Sequence, residues 1–246
     1  DAYFVLDMGC WRNWCTFMFR NGFSTAYESG ANYPPFFLYF LYLFGLIQGS
    51  EEAISDNISL IKYVPLLFDF IPFVILFFLY KKNYFQNNTH YYLLFNIAYF
   101  YNSVAWGQVD GIHSNLSLLA FLTAFRSPVV SVILFTIAIN TKMQAIIFLP
   151  VLAMIIFTQL KNFRQVIYLL LSIIITEIII TLPFILSGNF SSYIDMYFKS
   201  VGHQPKVSLN AFNLWYLVLW NFNPQKIYDK TTWLFFHTSN SGLHFL

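Results

Sequence analysis

The chain begins with DAYFVLDMGCWRNWCTFMFRNGFSTAYESGANYPPFFLYFLYLFG, residues 1–45, and this stretch decides how the remainder is interpreted. It combines carboxylates, tryptophans, glycines and two consecutive prolines, without an apolar run long enough to cross a bilayer as a helix. Asp7 precedes a tryptophan-rich segment, and the motif NYPP occupies residues 32–35. We interpret residues 1–34 as a polar loop on a membrane surface, with Asp7 as its chemically active group.

The composition indicates that the bilayer surrounds most of the chain. Of the 246 residues, 58% are hydrophobic, 22% are aromatic and only 10% are charged, whereas about a quarter of the residues in a soluble domain are charged. The mean hydropathy is +0.58. We therefore predict an all-α fold, a polytopic transmembrane helical bundle with short interfacial helices in an extracytoplasmic first loop. The net charge of +2, without a Lys/Arg-rich run, excludes a nucleic-acid partner.

Within the first loop, the sequence predicts a short helix over residues 7–21. Trp11, Trp14 and Met18 recur at helical spacing, so they form one face, which we expect to lie in the membrane interface. The double proline at residues 34–35 predicts an extended backbone followed by a helix start.

The domain organisation follows from the same loop. We treat residues 1–246 as a single membrane domain that contains the extracytoplasmic catalytic loop, residues 1–34. Because the first residue, Asp1, already belongs to this loop, we expect a leading transmembrane helix ahead of it. Cys10 and Cys15 are five residues apart and point to different faces of a helix, so we expect neither a disulfide nor a metal site from them.

Apolar segments mark the helices that follow. The run at 36–47 has about twelve residues, which reach ~18 Å as a helix and fall short of the ~30 Å hydrocarbon core. It is either re-entrant or a short span. The clearer apolar segments are 58–80, 89–105, 114–125, 128–141, 143–159, 165–187 and 209–221.

Basic residues assign the loops to sides of the membrane through the positive-inside rule. The residues that we place in the cytoplasm are Lys81, Lys82, Arg126, Lys161 and Arg164. Alternation then puts the motif WGQVD (residues 106–110), Lys142 and the polar stretch 188–208 outside. The loop of residues 1–34 joins them if 36–47 is re-entrant, and does not join them if 36–47 crosses.

Five segments occur in a characteristic order: DMGCWRNW, NYPPFFLYFLY, NSVAWGQVD, TKMQAIIFLP and SLNAFNLW. This order resembles the integral-membrane glycosyltransferases of the GT-C superfamily, over about residues 5–216. Within the superfamily, the pattern is most similar to the bacterial branch related to the second mannosyltransferase of GPI-anchor synthesis.

The resemblance implies a polyprenyl- or dolichyl-phosphate-linked sugar donor, with mannose as the sugar. It implies inverting transfer to a hydroxyl of a glycan, lipid or protein acceptor. It also implies an acidic residue in the first extracytoplasmic loop, a position that Asp7 matches. A carboxylate there takes the proton of the attacking hydroxyl. The alternatives are that Asp7 is a helix N-cap and that Asp1 is the base.

The motif WGQVD offers groups that suit a sugar. Trp106 provides an aromatic platform, and Gln108, Asp110 and His113 provide hydrogen-bonding groups, although Asp110 also suits a helix cap. Tyr33 is either a pocket wall or part of a rigid turn. Asp110 and His113 alone are a weak basis for a metal site, and we expect no metal and no cofactor besides the donor substrate.

Lys142 contradicts the positive-inside trend on the outer side, where a lipid phosphate needs a cation. The alternative is a lysine that snorkels to the interface. The other candidates for substrate binding are Gln144, His203, Lys206, Ser208, Asn210 and Asn213. Asp69 and Glu177 lie inside apolar segments, and we expect them to form structural pairs.

Two other functional classes fit a polytopic membrane protein. A transporter or flippase of lipid-linked saccharides is the main alternative, although such proteins tend to have repeated halves and this sequence shows no internal repeat. A structural membrane subunit is the other. For the enzyme, we expect a bacterial cell membrane rather than the endoplasmic reticulum, with the active site on the extracytoplasmic face.

Overall fold

The computed structural model describes residues 2–81 and 101–201, together with three strands near the C-terminus. The chain divides into two compact units, residues 1–190 and 191–246. The first unit is helical and contains the candidate site. In the second unit, strands β1 (Thr232–Trp233), β2 (Phe236–Ser239) and β3 (Gly242–Phe245) form an antiparallel sheet in the order β1-β2-β3.

The helices account for the described part of the first unit. Its N-terminal half comprises α1 (Ala2–Asn21), a 3₁₀ helix (Phe23–Ser29), α2 (Pro35–Gln48), α3 (Glu51–Asn57), a 3₁₀ helix (Ile58–Lys62) and α4 (Tyr63–Lys81). After residue 100 come a π-helix (Tyr101–Trp106), α5 (Asp110–Ala124), α6 (Pro128–Ile139), a 3₁₀ helix (Met143–Phe148), α7 (Leu149–Gln159) and α8 (Phe163–Leu186), and α9 (Phe190–Val201) follows. The prediction of a helical fold is confirmed here, and the C-terminal sheet was not foreseen.

The aromatic face of α1 packs on α2. Trp11 is 1% exposed, and its ring lies 4.9 Å from that of Phe37. The Cys15 thiol donates a hydrogen bond to the Leu41 carbonyl at 3.1 Å. The prediction that this face lies in the membrane interface is therefore wrong for the Trp11 ring, because protein surrounds it. Asp7 lies inside α1 rather than ahead of it, so the N-cap alternative is also wrong.

The segment 36–47 belongs to a hairpin. Pro34 is extended and Pro35 begins α2, as the double proline predicts. The 14 residues of α2 reach ~21 Å, still short of the hydrocarbon core. Gly49, at φ +72°, ends α2, and the Ser50 hydroxyl caps α3 by accepting from Ala53 N–H. The chain then returns towards the start of α2. That 36–47 is re-entrant and that it is a short span both stay predictions.

Two stretches in the described part of the chain are long and apolar enough to cross a membrane, Glu51–Ile75 and Phe163–Leu186. They correspond to the predicted segments 58–80 and 165–187. Shorter apolar helices cover Pro35–Gln48, Pro128–Ile139 and Met143–Gln159. The predicted span 209–221 and residues 89–100 of the span 89–105 lie outside the described residues.

Helices α5 and α6 form the centre of an apolar core. Small side chains allow the two backbones to approach closely, and the Ser131 hydroxyl donates to the Ala120 carbonyl at 2.7 Å. The buried residues of this core are Ala120, Ala124, Val132, Phe135, Leu152, Ile156 and Leu169.

The two carboxylates inside apolar segments form structural pairs, as predicted. Asp69 on α4 accepts from the Ser103 hydroxyl and from the Asn115 amide, the latter at 3.4 Å. Glu177 on α8 accepts from the Asn140 amide at 2.7 Å. Each carboxylate thus connects its own helix to another segment of the chain. Burying such an acceptor without a donor would cost free energy.

Gly111 is the position that lets Asp69 make its contacts, because a Cβ atom there would overlap the Asp69 carboxylate. We expect Gly111→Ala to displace Asp69 and to lower the free energy of unfolding by about 1–3 kcal/mol, since hydrogen bonds to a charged group are lost. Gly9→Ala is the matched control, because a Cβ there meets nothing within 4 Å. Thermal unfolding in detergent measures both, and equal midpoints for the two variants would contradict this role of Asp69.

Candidate active site

Asp7 lies where α1 meets the turn that precedes α5. The indole N–H of Trp106 donates to Asp7 Oδ2 at 3.2 Å, and the side-chain amide of Gln108 donates to the same oxygen at 2.5 Å. Among the described residues, Asp7 Oδ1 has no hydrogen-bond donor. The half-buried carboxylate is therefore held by one oxygen, while the other accepts no hydrogen bond from the described residues.

The turn that supplies both donors has an unusual backbone. It begins as a π-helix over Tyr101–Trp106, a conformation often found at functional sites. Gly107 follows at φ +79°, in the left-handed region that favours glycine. The Gln108 N–H then donates to the Asn102 carbonyl at 2.9 Å. This backbone presents the Trp106 and Gln108 side chains together towards Asp7.

A second charged group lies at the start of α5. The Lys142 ammonium donates to Asp110 Oδ1, and His113 Nε2 lies 3.5 Å from the same oxygen. Burial by itself raises the pKa of Asp110, but the hydrogen bond from His113 and the charge of Lys142 outweigh it and lower that pKa to about 2. Asp110 therefore stays ionised at any physiological pH.

Tyr33 lies between the two carboxylates. The Lys142 ammonium lies 5.8 Å from the centre of the Tyr33 ring, and the Trp14 ring packs against the same tyrosine at 5.7 Å. Burial, followed by the charges of Asp7 and Asp110, raises the pKa of the Tyr33 phenol far above its usual value. The hydroxyl of Tyr33 therefore keeps its proton and can donate a hydrogen bond near both carboxylates.

The NYPP motif is tied to the segment that carries Lys142. The Phe36 N–H, at the first turn of α2, donates to the Asn140 carbonyl at 2.9 Å. Asn140 in turn donates to Glu177 of α8. Asn140 thus joins the start of α2, which follows Tyr33 in the chain, to α8.

The structure brings most of the predicted site residues into one cluster: Asp7, Tyr33, Trp106, Gln108, Asp110, His113 and Lys142. Gln144 is exposed, and no contact links it to this cluster. The competing base Asp1 and the candidates His203, Lys206, Ser208, Asn210 and Asn213 lie outside the described residues. In the described part of the chain, no group of three or more His, Cys, Asp or Glu side chains is placed to hold a metal ion.

One residue of this region was missed by sequence reasoning. Lys62 donates to the Ala105 carbonyl at 3.1 Å, one residue before Trp106. Its signal in the sequence is that it is a cation inside the apolar segment 58–80.

A shallow cleft between α1 and α3, of about 390 Å³, is a separate feature. It lies on the side of α1 away from Trp11, and its lining residues are Arg12, Asn13, Thr16, Phe17, Arg20, Glu51 and Ser55. Asp7 does not line it.

Comparison with known proteins identifies the family to which the chain belongs. The sequence model described as "ALG3 protein" matches residues 31–236, which is most of the chain. The chain belongs to the ALG3 protein family. The ALG3 family consists of GT-C mannosyltransferases, integral-membrane enzymes that use a dolichol-linked mannose donor. No curated protein and no solved structure matches the chain.

The ALG3 match includes the NYPP motif, the WGQVD motif and Lys142, but it begins after Asp7. The family therefore supports the glycosyltransferase activity, whereas Asp7 is distinguished by its contacts with Trp106 and Gln108.

The Asp110–Lys142 pair is open to a direct test of its coupling. The Asp110 side chain is 40% exposed and that of Lys142 is 15% exposed. We expect the double-mutant cycle of Asp110→Asn and Lys142→Met to give a coupling free energy of about 1 kcal/mol, because solvent screens the pair in part. Thermal unfolding measures it, with Arg20–Glu51 as the more exposed reference pair. A coupling no larger than that of the reference would contradict the pairing.

Proposed function

We propose that the chain transfers mannose from a polyprenyl- or dolichyl-phosphate donor to an acceptor hydroxyl, with inversion, and that Asp7 is the general base. The observation that carries this proposal is the half-buried Asp7 carboxylate, which Trp106 and Gln108 hold at Oδ2 while Oδ1 has no donor among the described residues. A base must be both fixed in place and within reach of the proton that it takes. The two hydrogen bonds provide the first condition, and Oδ1 provides the second.

The reaction balances in a single displacement. The acceptor oxygen forms a bond to the anomeric carbon as the bond from that carbon to the phosphate oxygen breaks. The electron pair of the breaking bond goes to the phosphate, and the hydroxyl proton goes to Asp7 Oδ1. Because the attacking oxygen and the phosphate lie on opposite sides of the anomeric carbon, its configuration inverts.

The neighbouring groups suit the binding of a sugar. Trp106 offers a ring whose N–H is already satisfied by Asp7, and Asp110 offers a permanently ionised acceptor for sugar hydroxyls. The Tyr33 hydroxyl offers a donor near both carboxylates. Lys142 compensates the charge of Asp110, so the proposal assigns Asp110 and His113 no metal ion.

The distribution of basic residues supports an extracytoplasmic site. Helices α4 and α5 run away from the site, towards Lys81 and Arg126 respectively. Helix α8 approaches it from Lys161 and Arg164, since Glu177 contacts Asn140 near Lys142. The positive-inside rule favours the cytoplasm for the end with these basic residues. The site end then faces outward or into a lumen.

The membrane of origin remains a prediction. The resemblance to the bacterial branch related to GPI-anchor synthesis favours a bacterial cell membrane, whereas the ALG3 match indicates a dolichol-linked donor. Transfer rates with dolichyl phosphate mannose and with a bacterial polyprenyl phosphate mannose distinguish the two.

Asp7→Asn tests the base. Asparagine keeps the size of the side chain and still accepts from Gln108, but it does not take a proton. We expect mannose transfer from dolichyl phosphate mannose to extracted lipid-linked glycans to fall by about 10²–10⁴-fold. Radiolabel in the acceptor measures the loss in membranes that contain equal amounts of each variant.

Asp56→Asn is the matched control for this experiment, because Asp56 is exposed on α3 and outside the cluster. We expect it to transfer mannose at the wild-type rate. Unchanged transfer by Asp7→Asn would remove the base from the proposal. Movement of the lipid-linked saccharide across the bilayer without covalent transfer would favour the flippase alternative.

Cys10 provides a test of the side on which the site lies. It is exposed one helical turn from Asp7, whereas Cys15 is buried. We expect a membrane-impermeant maleimide to label Cys10 only from the extracytoplasmic or lumenal side of sealed vesicles, with Cys10→Ser as the unlabelled control. Labelling from the cytoplasmic side alone would contradict the orientation.

The rate of the same reaction reports the charge of Asp7. Burial, followed by the charge of Asp7, raises the pKa of the Cys10 thiol above its usual value, so labelling should be slow at neutral pH and accelerate with pH. Asp7→Asn removes the charge and should speed labelling at a given pH. Equal rates for the wild type and the variant would contradict an ionised Asp7 beside Cys10.

A further inference from the structure

Lys62 lies at the edge of the turn that holds Asp7. It is the last residue of the 3₁₀ helix Ile58–Lys62, directly before α4. A Cβ atom on Gly107 would lie 2.9 Å from Lys62 Cε and 2.9 Å from Met8 Cε, so the three residues are in mutual proximity. Met8 adjoins Asp7, and Gly107 adjoins Gln108. The lysine and the proposed base therefore flank the same turn.

In the described part of the chain, Lys62 is paired with a neutral group rather than with a carboxylate. Its ammonium donates to a neutral acceptor, the Ala105 carbonyl, and no carboxylate of the described residues forms a salt bridge with it. Lys142, by contrast, has its charge compensated by Asp110. An ammonium has three N–H donors. Two of those of Lys62 have no acceptor among the described residues.

A lysine at the end of an apolar helix places its ammonium at the membrane interface, where lipid head groups lie. Helix α4 begins at the next residue and exposes an apolar stripe over successive turns: Tyr63, Leu67, Phe70, Val74 and Phe78. A lipid whose anionic head lies at Lys62 has a hydrophobic path along this stripe. Charge and hydrophobicity thus favour the same occupant, a phosphate that carries a long apolar chain.

We propose that Lys62 binds the phosphate of the polyprenyl or dolichyl donor, in place of the Lys142 that the sequence suggested. This inference rests on the proposed function. As the bond from the anomeric carbon to the phosphate oxygen breaks, that oxygen gains the electron pair, and the Lys62 N–H groups donate to the phosphate without transferring a proton. Asp7 receives the proton of the acceptor hydroxyl, which attacks the opposite side of the anomeric carbon.

Two substitutions distinguish a role of the Lys62 charge in binding from a purely structural role of its hydrogen bond to the Ala105 carbonyl. Lys62→Arg keeps a positive charge. Lys62→Gln loses the charge but keeps a neutral N–H donor for the Ala105 carbonyl. If Lys62 only braces the turn, the glutamine variant behaves as the wild type. Lys81→Gln is the matched control, because Lys81 lies at the other end of α4, over the Phe77 ring.

Binding is measured on the purified full chain in detergent, by thermal shift against concentration, with three probes: farnesyl phosphate, farnesol and inorganic phosphate. We expect the wild type, Lys62→Arg and Lys81→Gln to bind farnesyl phosphate more tightly than either other probe. Lys62→Gln should bind farnesyl phosphate at least tenfold more weakly and should retain its weak affinity for farnesol.

Equal binding of farnesyl phosphate by Lys62→Gln and the wild type would overturn the proposal. So would equal binding of inorganic phosphate and farnesyl phosphate by the wild type, since that indicates a free-anion site rather than a lipid phosphate site. None of these measurements requires transfer. A failure of the phosphate site is thus distinguishable from a failure of Asp7 as the base, which the Asp7→Asn transfer assay reports separately.

Discussion

The hydrogen bonds from Trp106 and Gln108 to one oxygen of Asp7 join α1 to the turn before α5, and the remainder of the site depends on this junction. The turn presents both donors because its π-helical start is followed by Gly107 at positive φ. Behind it, Asp69 and Gly111 hold α4 against α5. A carboxylate in apolar surroundings is stable only with such partners, so the same contacts stabilise the fold and place the proposed base.

Charges around the site are separated in a way that suits group transfer from a phosphate. Asp110 and Lys142 compensate each other, and their pair forms a wall beside Tyr33. Among the residues that the structure describes, neither Asp7 nor Lys62 forms a salt bridge, and both flank the turn that contains Gly107. The first is suited to take a proton from an acceptor, and the second to stabilise a departing phosphate. Membership in the ALG3 family supplies the class of donor for which both features are useful.

Much of the site was foreseeable because unusual residues in an apolar sequence are informative. The double proline predicted the start of α2. The motif WGQVD was predicted to bind a sugar, and the structure adds that two of its side chains hold Asp7. The structural pairing of Asp69 and Glu177 followed from the cost of burying a lone charge. Wrong expectations concerned surroundings rather than residue types: the Trp11 ring faces α2 instead of lipid. Helical spacing shows which side chains share a face, but it does not show what covers that face.

The sequence by itself determined the helical membrane character and the chemical types at the site, because hydropathy, charge and proline geometry act locally. Only the tertiary structure decided which cation pairs with which carboxylate. Lys142 and Lys62 have the same chemistry, but the fold places Asp110 beside the first and only a backbone carbonyl beside the second. That difference comes from contacts between residues 32 and 43 positions apart in the chain, which no local pattern encodes.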